Sequence, residues 1–125
     1  MKDKVLITGI TGQDGSYLAE HLINKGYEVY GTIRRGSTYK FGRLDFLDIV
    51  NDVKMVSLEI TEFSNVFKVL GELKPNYIYN LAAQSFVEES FKHPALTSNI
   101  NYMGVLNFLE AIKLLGLDCS FYQAS

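Results

Sequence analysis

Three glycines at intervals of three residues have a spacing that could serve phosphate chemistry. Gly9, Gly12 and Gly15 follow a short apolar run at residues 4–8 and precede a segment with helical periodicity. A glycine-rich turn between a buried strand and a helix brings backbone N–H groups close to a pyrophosphate, because the absent side chains permit a tight turn and a close approach. The spacing therefore predicts a dinucleotide-binding turn, with a merely tight strand-to-helix turn as the alternative.

Polar residues between these glycines extend the predicted site. Thr11 and Asp14 have the spacing of a capping box, which predicts a well-formed helix N-terminus whose free N–H groups can hold phosphate oxygens. The predicted turn thus comprises Gly9, Thr11, Gly12, Gln13, Asp14 and Gly15.

Two adjacent arginines follow the second predicted strand. NAD-binding turns of this type are followed about 20 residues later by an Asp or Glu that binds the adenosine ribose. The equivalent stretch here contains Arg34 and Arg35 and no acidic residue. Paired guanidinium groups favour a 2′-phosphate, so the sequence predicts NADP rather than NAD. Two solvent-exposed loop arginines are the alternative.

Small residues follow the fourth predicted strand, at residues 80–85. Ligands of open α/β sheets bind at the carboxyl edge of the strands, where small side chains let a ribose and a nicotinamide lie against the backbone. Gln84 and Ser85 carry groups that can hydrogen-bond to the cofactor or to a second ligand. A loop with small residues by chance is the alternative.

The elements that position these groups alternate between strand and helix. Apolar, β-branched runs predict strands at residues 4–8, 27–33, 53–58, 77–81 and 119–122. Helical periodicity predicts a helix that Gly26 ends, a second helix at residues 64–74, and a long third one between Pro94 and Gly116, with two further helical turns at 43–51 after a loop at 34–42. This alternation predicts a single α/β domain over residues 1–125, with a doubly wound parallel sheet.

Composition excludes several other classes of protein. The 125 residues are 47% hydrophobic and 21% charged, which is enough apolar material for a core, and the net charge of -2 provides no positive field for nucleic acid or anionic membranes. The single cysteine, Cys119, cannot form an internal disulfide, and the separated His21 and His93 do not suggest a metal site. No apolar run approaches the roughly 20 residues of a membrane span. We therefore expect a cytoplasmic protein without nucleic-acid or membrane partners.

Together these motifs resemble the extended short-chain dehydrogenase/reductase superfamily and, within it, the GDP-mannose 4,6-dehydratase family. The resemblance rests on residues 8–20, Arg34-Arg35 with Ser37, residues 79–85 and residues 121–125, in order along the chain. It implies a Rossmann-type doubly wound parallel sheet with strand order 3-2-1-4-5, truncated after the fifth strand. It also implies that the chain is the NADP-binding portion of a longer enzyme that forms homo-oligomers.

The resemblance also implies roles for individual residues. Residues 9–14 would line the pyrophosphate, Arg34 and Arg35 would bind the adenosine phosphate, and Glu59 with Ile60 would lie beside the adenine, where the family usually has Asp-Leu. The residues that would flank the nicotinamide ribose are Leu81, Ala82, Ala83, Gln84 and Ser85, with Ser85 also contacting substrate. Phe86 stands where the family often has His. Leu96 stands where it often has Tyr, and the missing hydroxyl makes Leu96 a poor cofactor ligand.

The implied reaction is a lyase reaction that converts GDP-mannose to GDP-4-keto-6-deoxymannose. In the family, hydride passes from sugar C4 to NADP, water is eliminated across C5 and C6, and the hydride returns to C6. A Thr, a Glu and a Tyr-x-x-x-Lys pattern perform this chemistry, and we expect them after Ser125, so residues 1–125 alone should be inactive. Three alternatives remain: a reductase of the 4-keto-6-deoxy sugar, another nucleotide-sugar dehydratase or epimerase, and a non-catalytic NADP-binding sensor.

Overall fold

The computed structural model describes residues 2–10, 12–33, 50–81 and 94–123. It contains β1 (Lys4–Thr8), α1 (Gln13–Asn24), β2 (Glu28–Ile33), a short 3-10 turn (Val50–Asp52), β3 (Val53–Ser57), α2 (Phe63–Leu73), β4 (Tyr77–Asn80), α3 (Pro94–Leu115) and β5 (Ser120–Gln123). The predicted loop at 34–42 lies outside the described residues, as do the predicted helical turns at 43–51 apart from residues 50 and 51, which belong to the 3-10 turn.

The five strands form one parallel sheet in the order β3-β2-β1-β4-β5. This confirms the predicted fold class and strand order. The chain leaves β1 towards β2 on one side and returns on the other side as β4, so the connections diverge between β1 and β4 and leave a crevice at the carboxyl edge of the sheet. Each predicted strand lies within a residue of its observed bounds, and β5 begins at Ser120 rather than Cys119.

Helices cover both faces of the sheet, which explains why β1 is apolar without alternation. Val5 and Ile7 point to the face covered by α1, where Ala19 and Leu22 pack against them. Leu6 points to the other face, where α2 and α3 supply the buried side chains Val66, Val69, Leu70, Phe108 and Ala111. The central strand is therefore buried on both sides, and its carboxyl end is held in a fixed position between the two cores.

The predicted helix ends agree with the structure. The residue after the C-cap of α1 is Gly26, and the residue after α3 is Gly116. α2 ends at Leu73, two residues before Pro75. No helix in the described parts of the chain is both long enough and apolar enough to cross a membrane.

Candidate functional site

The glycine turn (residues 9–15) connects β1 to α1 with very little space. Gly9 has a φ of 71°, in the left-handed region that favours glycine, and its carbonyl oxygen accepts a hydrogen bond from Gly12 N at 3.1 Å. A Cβ added to Gly15 would lie 2.4 Å from Gly9 O and 2.8 Å from the Cα of Ile10. Both atoms belong to the backbone and cannot rotate away. A side chain at position 15 would therefore push α1 off the end of β1.

Gly12 differs from these two glycines because neither its backbone conformation nor a described neighbour requires glycine there. Its φ of -75° and ψ of 174° describe extended backbone that any residue can adopt. Among the described residues, an added Cβ would meet only Gly9 O, at 3.4 Å, which is an ordinary contact distance. Gly12, Gln13 and Asp14 are exposed at the N-terminus of α1, where the first N–H groups of a helix have no partner within the helix. The turn thus presents an open backbone surface with the positive end of a helix dipole behind it.

The predicted capping box is wrong. The N-cap of α1 is Gly12, and no side chain of the described residues makes a capping hydrogen bond to this helix. With the helix starting at Gln13, Asp14 is the second helical residue rather than the third, so it lacks the position that a capping box requires. Asp14 still places an acidic group in the first turn, whereas Thr11 lies outside the described residues.

Ser16, which the sequence analysis did not single out, stabilises the turn instead. Its buried hydroxyl lies 2.8 Å from Ile10 O and 2.7 Å from Gly12 O, and its backbone N donates to Gly12 O at 3.0 Å. The single hydroxyl proton serves these two carbonyl groups of the turn. A small hydroxyl residue directly after the third glycine, on the face of α1 that packs against the sheet, was the available signal.

A polar network joins the carboxyl ends of β1, β4 and β5. The buried Thr8 hydroxyl donates to Asn80 Oδ1 at 2.5 Å and accepts from Leu81 N at 3.0 Å, and Asn80 Nδ2 donates to Gln123 Oε1 at 2.7 Å. Leu81 N also lies 3.2 Å from Thr8 O. The predicted site residue Leu81 is therefore fixed beside the start of the glycine turn.

The segment after β3 places Glu59 and Ile60 at the same sheet edge. Glu59 N donates to Asn65 Oδ1 at 2.7 Å, and Thr61 Oγ1 donates to Glu59 Oε1 at 3.1 Å. Ile60 O accepts a hydrogen bond from Asn107 Nδ2 at 2.7 Å. Neither asparagine was predicted from the sequence as a site residue. Since all five strands are parallel, the segments after β1, β3 and β4 line one edge of the sheet.

The remaining predicted site residues lie outside the described parts of the chain. These residues are Thr11, Arg34, Arg35, Ala82, Ala83, Gln84 and Ser85. The structure brings Gly9, Gly12, Gln13, Asp14 and Gly15 together in one turn, and it places Leu81 next to that turn.

Titratable groups with shifted pKa values lie outside the glycine turn. Burial, followed by the neighbouring Tyr122, raises the pKa of Tyr79, whose ring stacks on that of Tyr122 with centroids 4.8 Å apart. Burial and then Asp118 raise the pKa of Cys119 to about 11. The described residues contain no group of three or more His, Cys, Asp or Glu side chains that could hold a metal ion.

Sequence comparison relates the chain to one family of enzymes. The family profile described as GDP-mannose 4,6 dehydratase matches residues 6–125. The chain is 49% identical over 132 aligned residues to GDP-mannose 4,6-dehydratase from Vibrio cholerae, covering 100% of this chain and 36% of that protein. It is 44% identical over 132 residues to GDP-mannose 4,6 dehydratase from Homo sapiens, covering 99% of this chain and 36% of that protein. The chain thus spans little more than a third of the length of these relatives.

Solved structures share the fold. UDP-glucose 4-epimerase from Thermotoga maritima, solved with UDP-glucose, superposes with a TM-score of 0.74 at 25% identity over 94% of this chain and 37% of that chain. UDP-glucose 4-epimerase from Thermus thermophilus, solved with NAD, gives a TM-score of 0.72 at 27% identity over 91% of this chain and 35% of that chain. Because the family profile extends from β1 to the end of the chain and the curated relatives match over nearly every residue, the chain belongs to the GDP-mannose 4,6-dehydratase family.

Proposed function

We propose that this chain forms the NADP-binding part of an enzyme that converts GDP-mannose to GDP-4-keto-6-deoxymannose. The observation that carries the proposal is the glycine turn at the carboxyl end of the central strand, in a chain that is 49% identical to a GDP-mannose 4,6-dehydratase. We further propose that the whole protein is a cytoplasmic homo-oligomer.

The shape of the turn fits a pyrophosphate. Gly9 and Gly15 are required by backbone conformation and close packing, whereas a Cβ at Gly12 would meet no described atom closer than 3.4 Å. A ligand that lies directly on the backbone would supply the missing reason for glycine at position 12, since a Cβ there would hold it away. The N–H groups of the first turn of α1 would then bind the phosphate oxygens, with the helix dipole favouring their negative charge.

The order of the strands supports a proposed placement for the two ends of the cofactor. Adjacent strands lie about 4.8 Å apart, so the segment after β3 is about 10 Å from β1 on one side and the segment after β4 is adjacent to β1 on the other. Glu59 and Ile60 would lie at the adenine end, and Leu81 would begin the segment at the nicotinamide end. The pyrophosphate would lie between them, on the glycine turn.

The choice of NADP over NAD depends on Arg34 and Arg35, which follow β2 directly in the sequence. The carboxyl end of β2 lies between those of β1 and β3, which is where an adenosine 2′-phosphate would lie. A titration with both cofactors tests this choice. Tighter binding of NADP is expected, and equal or tighter binding of NAD would contradict it.

NADP, when bound, supplies a reversible acceptor for hydride from a sugar carbon. The residues of this chain hold and orient it: the turn binds the pyrophosphate, and the network of Thr8, Asn80 and Gln123 fixes the backbone at Leu81. In this proposal Ala82, Ala83, Gln84 and Ser85 continue that segment along the nicotinamide ribose, and Ser85 also contacts the sugar nucleotide.

Incubation of the full-length protein with GDP-mannose and NADP tests the reaction. A dehydratase gives a 4-keto product that has lost one water, with no net formation of NADPH. In a second incubation with NADPH and GDP-4-keto-6-deoxymannose, net consumption of NADPH would instead identify a reductase. In the first incubation, a product of unchanged mass would identify an epimerase. A protein that binds NADP but converts no nucleotide sugar would be a sensor.

The same assay on residues 1–125 tests whether this part of the protein binds the cofactor without catalysing the reaction. The Tyr-x-x-x-Lys pattern does not occur in the 125 residues, so cofactor binding without turnover is expected. Turnover by this chain alone would contradict that part of the proposal.

A further inference from the structure

We infer that Asn65 and Asn107 are positioning residues for the adenine end of the cofactor, an inference that rests on the proposed dinucleotide function. The two side chains come from different helices and hold the two consecutive residues Glu59 and Ile60 from opposite ends. We call this arrangement the asparagine clamp (Asn65, Asn107).

The two carboxamides of the clamp bind through different atoms, one through its oxygen and the other through its nitrogen. From α2, Asn65 presents its Oδ1 to Glu59 N at 2.7 Å, so this side chain acts as an acceptor. From α3, the buried Asn107 presents its Nδ2 to Ile60 O at 2.7 Å, so this side chain acts as a donor. The N–H of the first residue and the carbonyl of the second are thereby fixed.

The helix that carries Asn107 also receives the side chain of Ile60. One turn earlier, a Cβ added to Gly104 would lie 2.9 Å from Ile60 Cδ1 and 3.3 Å from Ile60 Cγ1. The Ile60 side chain packs against the core between α2, α3 and the sheet. A glycine and an asparagine, three residues apart on one helix face, thus hold the side chain and the carbonyl of the same residue.

Fixing this segment before binding has a direct effect on affinity. Binding groups that are already ordered lose less conformational entropy when a ligand arrives. The segment after β3 has one backbone hydrogen bond of its own, from Glu62 N to Glu59 O at 3.1 Å, and the two helices add the side-chain bonds of the clamp. Loss of either clamp bond should weaken binding of the adenosine half of the cofactor and leave the nicotinamide half unaffected.

The experiment compares the same substitution at both positions in the full-length protein. Asn65→Asp keeps an oxygen acceptor for Glu59 N and should bind 2′,5′-ADP within about twofold of wild type, whereas Asn65→Leu should bind it about tenfold more weakly. Asn107→Asp and Asn107→Leu both remove the donor, and each should lose about tenfold. Affinity for NADP should fall by the same factors, and affinity for nicotinamide mononucleotide should not change.

A pair of glycine variants provides a second route if the Asn107 variants fold poorly. Gly104→Ala places a methyl group against Ile60 and should weaken binding of 2′,5′-ADP. Gly71→Ala is the matched control, because among the described residues its Cβ would meet only the Leu115 side chain, at 3.5 Å and 4.0 Å, and affinity should be unchanged. Thermal unfolding without ligand shows which variants are folded at the assay temperature.

The outcomes separate the inference from the function on which it rests. Failure of the wild-type protein to bind NADP or 2′,5′-ADP would overturn the proposed function and the inference with it. Wild-type binding that folded Asn65→Leu and Asn107→Leu variants retain would overturn the inference alone. A lowered unfolding temperature of these variants without any change in affinity for 2′,5′-ADP would also overturn the inference, because it would show a purely structural role.

Discussion

The hydroxyl of Thr8 at the end of β1 donates a hydrogen bond to the side-chain oxygen of Asn80 at the end of β4. Both residues are buried, and the same hydroxyl accepts from Leu81 N at 3.0 Å. This bond joins the carboxyl ends of the adjacent strands β1 and β4, where the connections from the sheet diverge. It therefore links the stability of the sheet to the geometry of the candidate site.

Replacement of Thr8 by valine should destabilise the protein. Thr8→Val keeps the shape but removes the donor to Asn80 Oδ1 and one acceptor of Leu81 N, and unsatisfied buried polar groups cost about 1–3 kcal/mol each. Urea unfolding measures the loss, and Thr8→Ser, which keeps the hydroxyl, should recover most of it. Equal stability of Thr8→Val and wild type would show that the bond contributes nothing.

The second and third glycines of the turn should respond differently to alanine. Gly15→Ala forces a methyl group to 2.4 Å from Gly9 O and should reduce the free energy of unfolding by roughly 1–3 kcal/mol or more. Gly12→Ala meets no such contact and should cost no more than about 1 kcal/mol as an N-cap change.

The affinity for NADP tests the other half of this prediction. Gly12→Ala should bind NADP much more weakly than wild type although it remains stable, because its methyl group occupies the surface proposed for the pyrophosphate. A stable Gly12→Ala variant with unchanged affinity would contradict the pyrophosphate assignment.

Loss of the Ser16 hydroxyl should loosen the turn. Ser16→Ala removes the donor to Ile10 O and Gly12 O, at a cost of about 1 kcal/mol in unfolding free energy, and it should also weaken NADP binding. The control is Ser64→Ala, at an exposed position near the start of α2, which should change neither quantity. Similar effects of the two substitutions would indicate a general cost of the change rather than a role in the turn.

Cys119 should react slowly in the folded protein. Burial and then Asp118 raise its pKa to about 11, so little thiolate is present at pH 8. An unfolded thiol has a pKa near 8.5, and the rate of reaction with a disulfide reagent should rise on the order of tenfold or more in urea. Equal rates in the folded and unfolded protein would contradict the raised pKa.

The same shift has a defined effect on stability. The folded state retains the Cys119 proton at pH values where the unfolded state has lost it, so stability should fall as the pH rises from about 9 towards about 11. The tyrosines and Lys54 with raised pKa values contribute in the same direction. Comparison with Cys119→Ser isolates the contribution of the thiol.

Local patterns predicted most of the fold. β-branched runs such as residues 4–8 and helical spacing such as residues 64–74 indicate their elements without reference to distant residues. The glycine turn was predictable for the same reason, since its chemistry depends on neighbours in the sequence. The capping box failed because the helix starts one residue later than that motif requires.

Contacts between distant parts of the chain were not predictable in this way. Asn107 and Ile60 are 47 positions apart, and Thr8 and Asn80 are 72 apart. No local periodicity indicates which asparagine will meet which carbonyl, because that depends on how α2 and α3 pack on the sheet. The hydrogen bonds of Asn107 and Asn80 at the candidate site were therefore found from the structure and not from the sequence.

The parallel pairing of β1 with β4 also indicates an order in which the strands are expected to assemble. β1 and β2 are joined through α1 alone, whereas β1 and β4 pair across most of the described chain, as with Val5 and Tyr77. Closing the longer loop between β1 and β4 costs more chain entropy than closing the shorter one between β1 and β2. On chain entropy alone we expect the unit that carries the glycine turn to assemble first, with the crevice at the carboxyl edge completed only when β4 docks against β1.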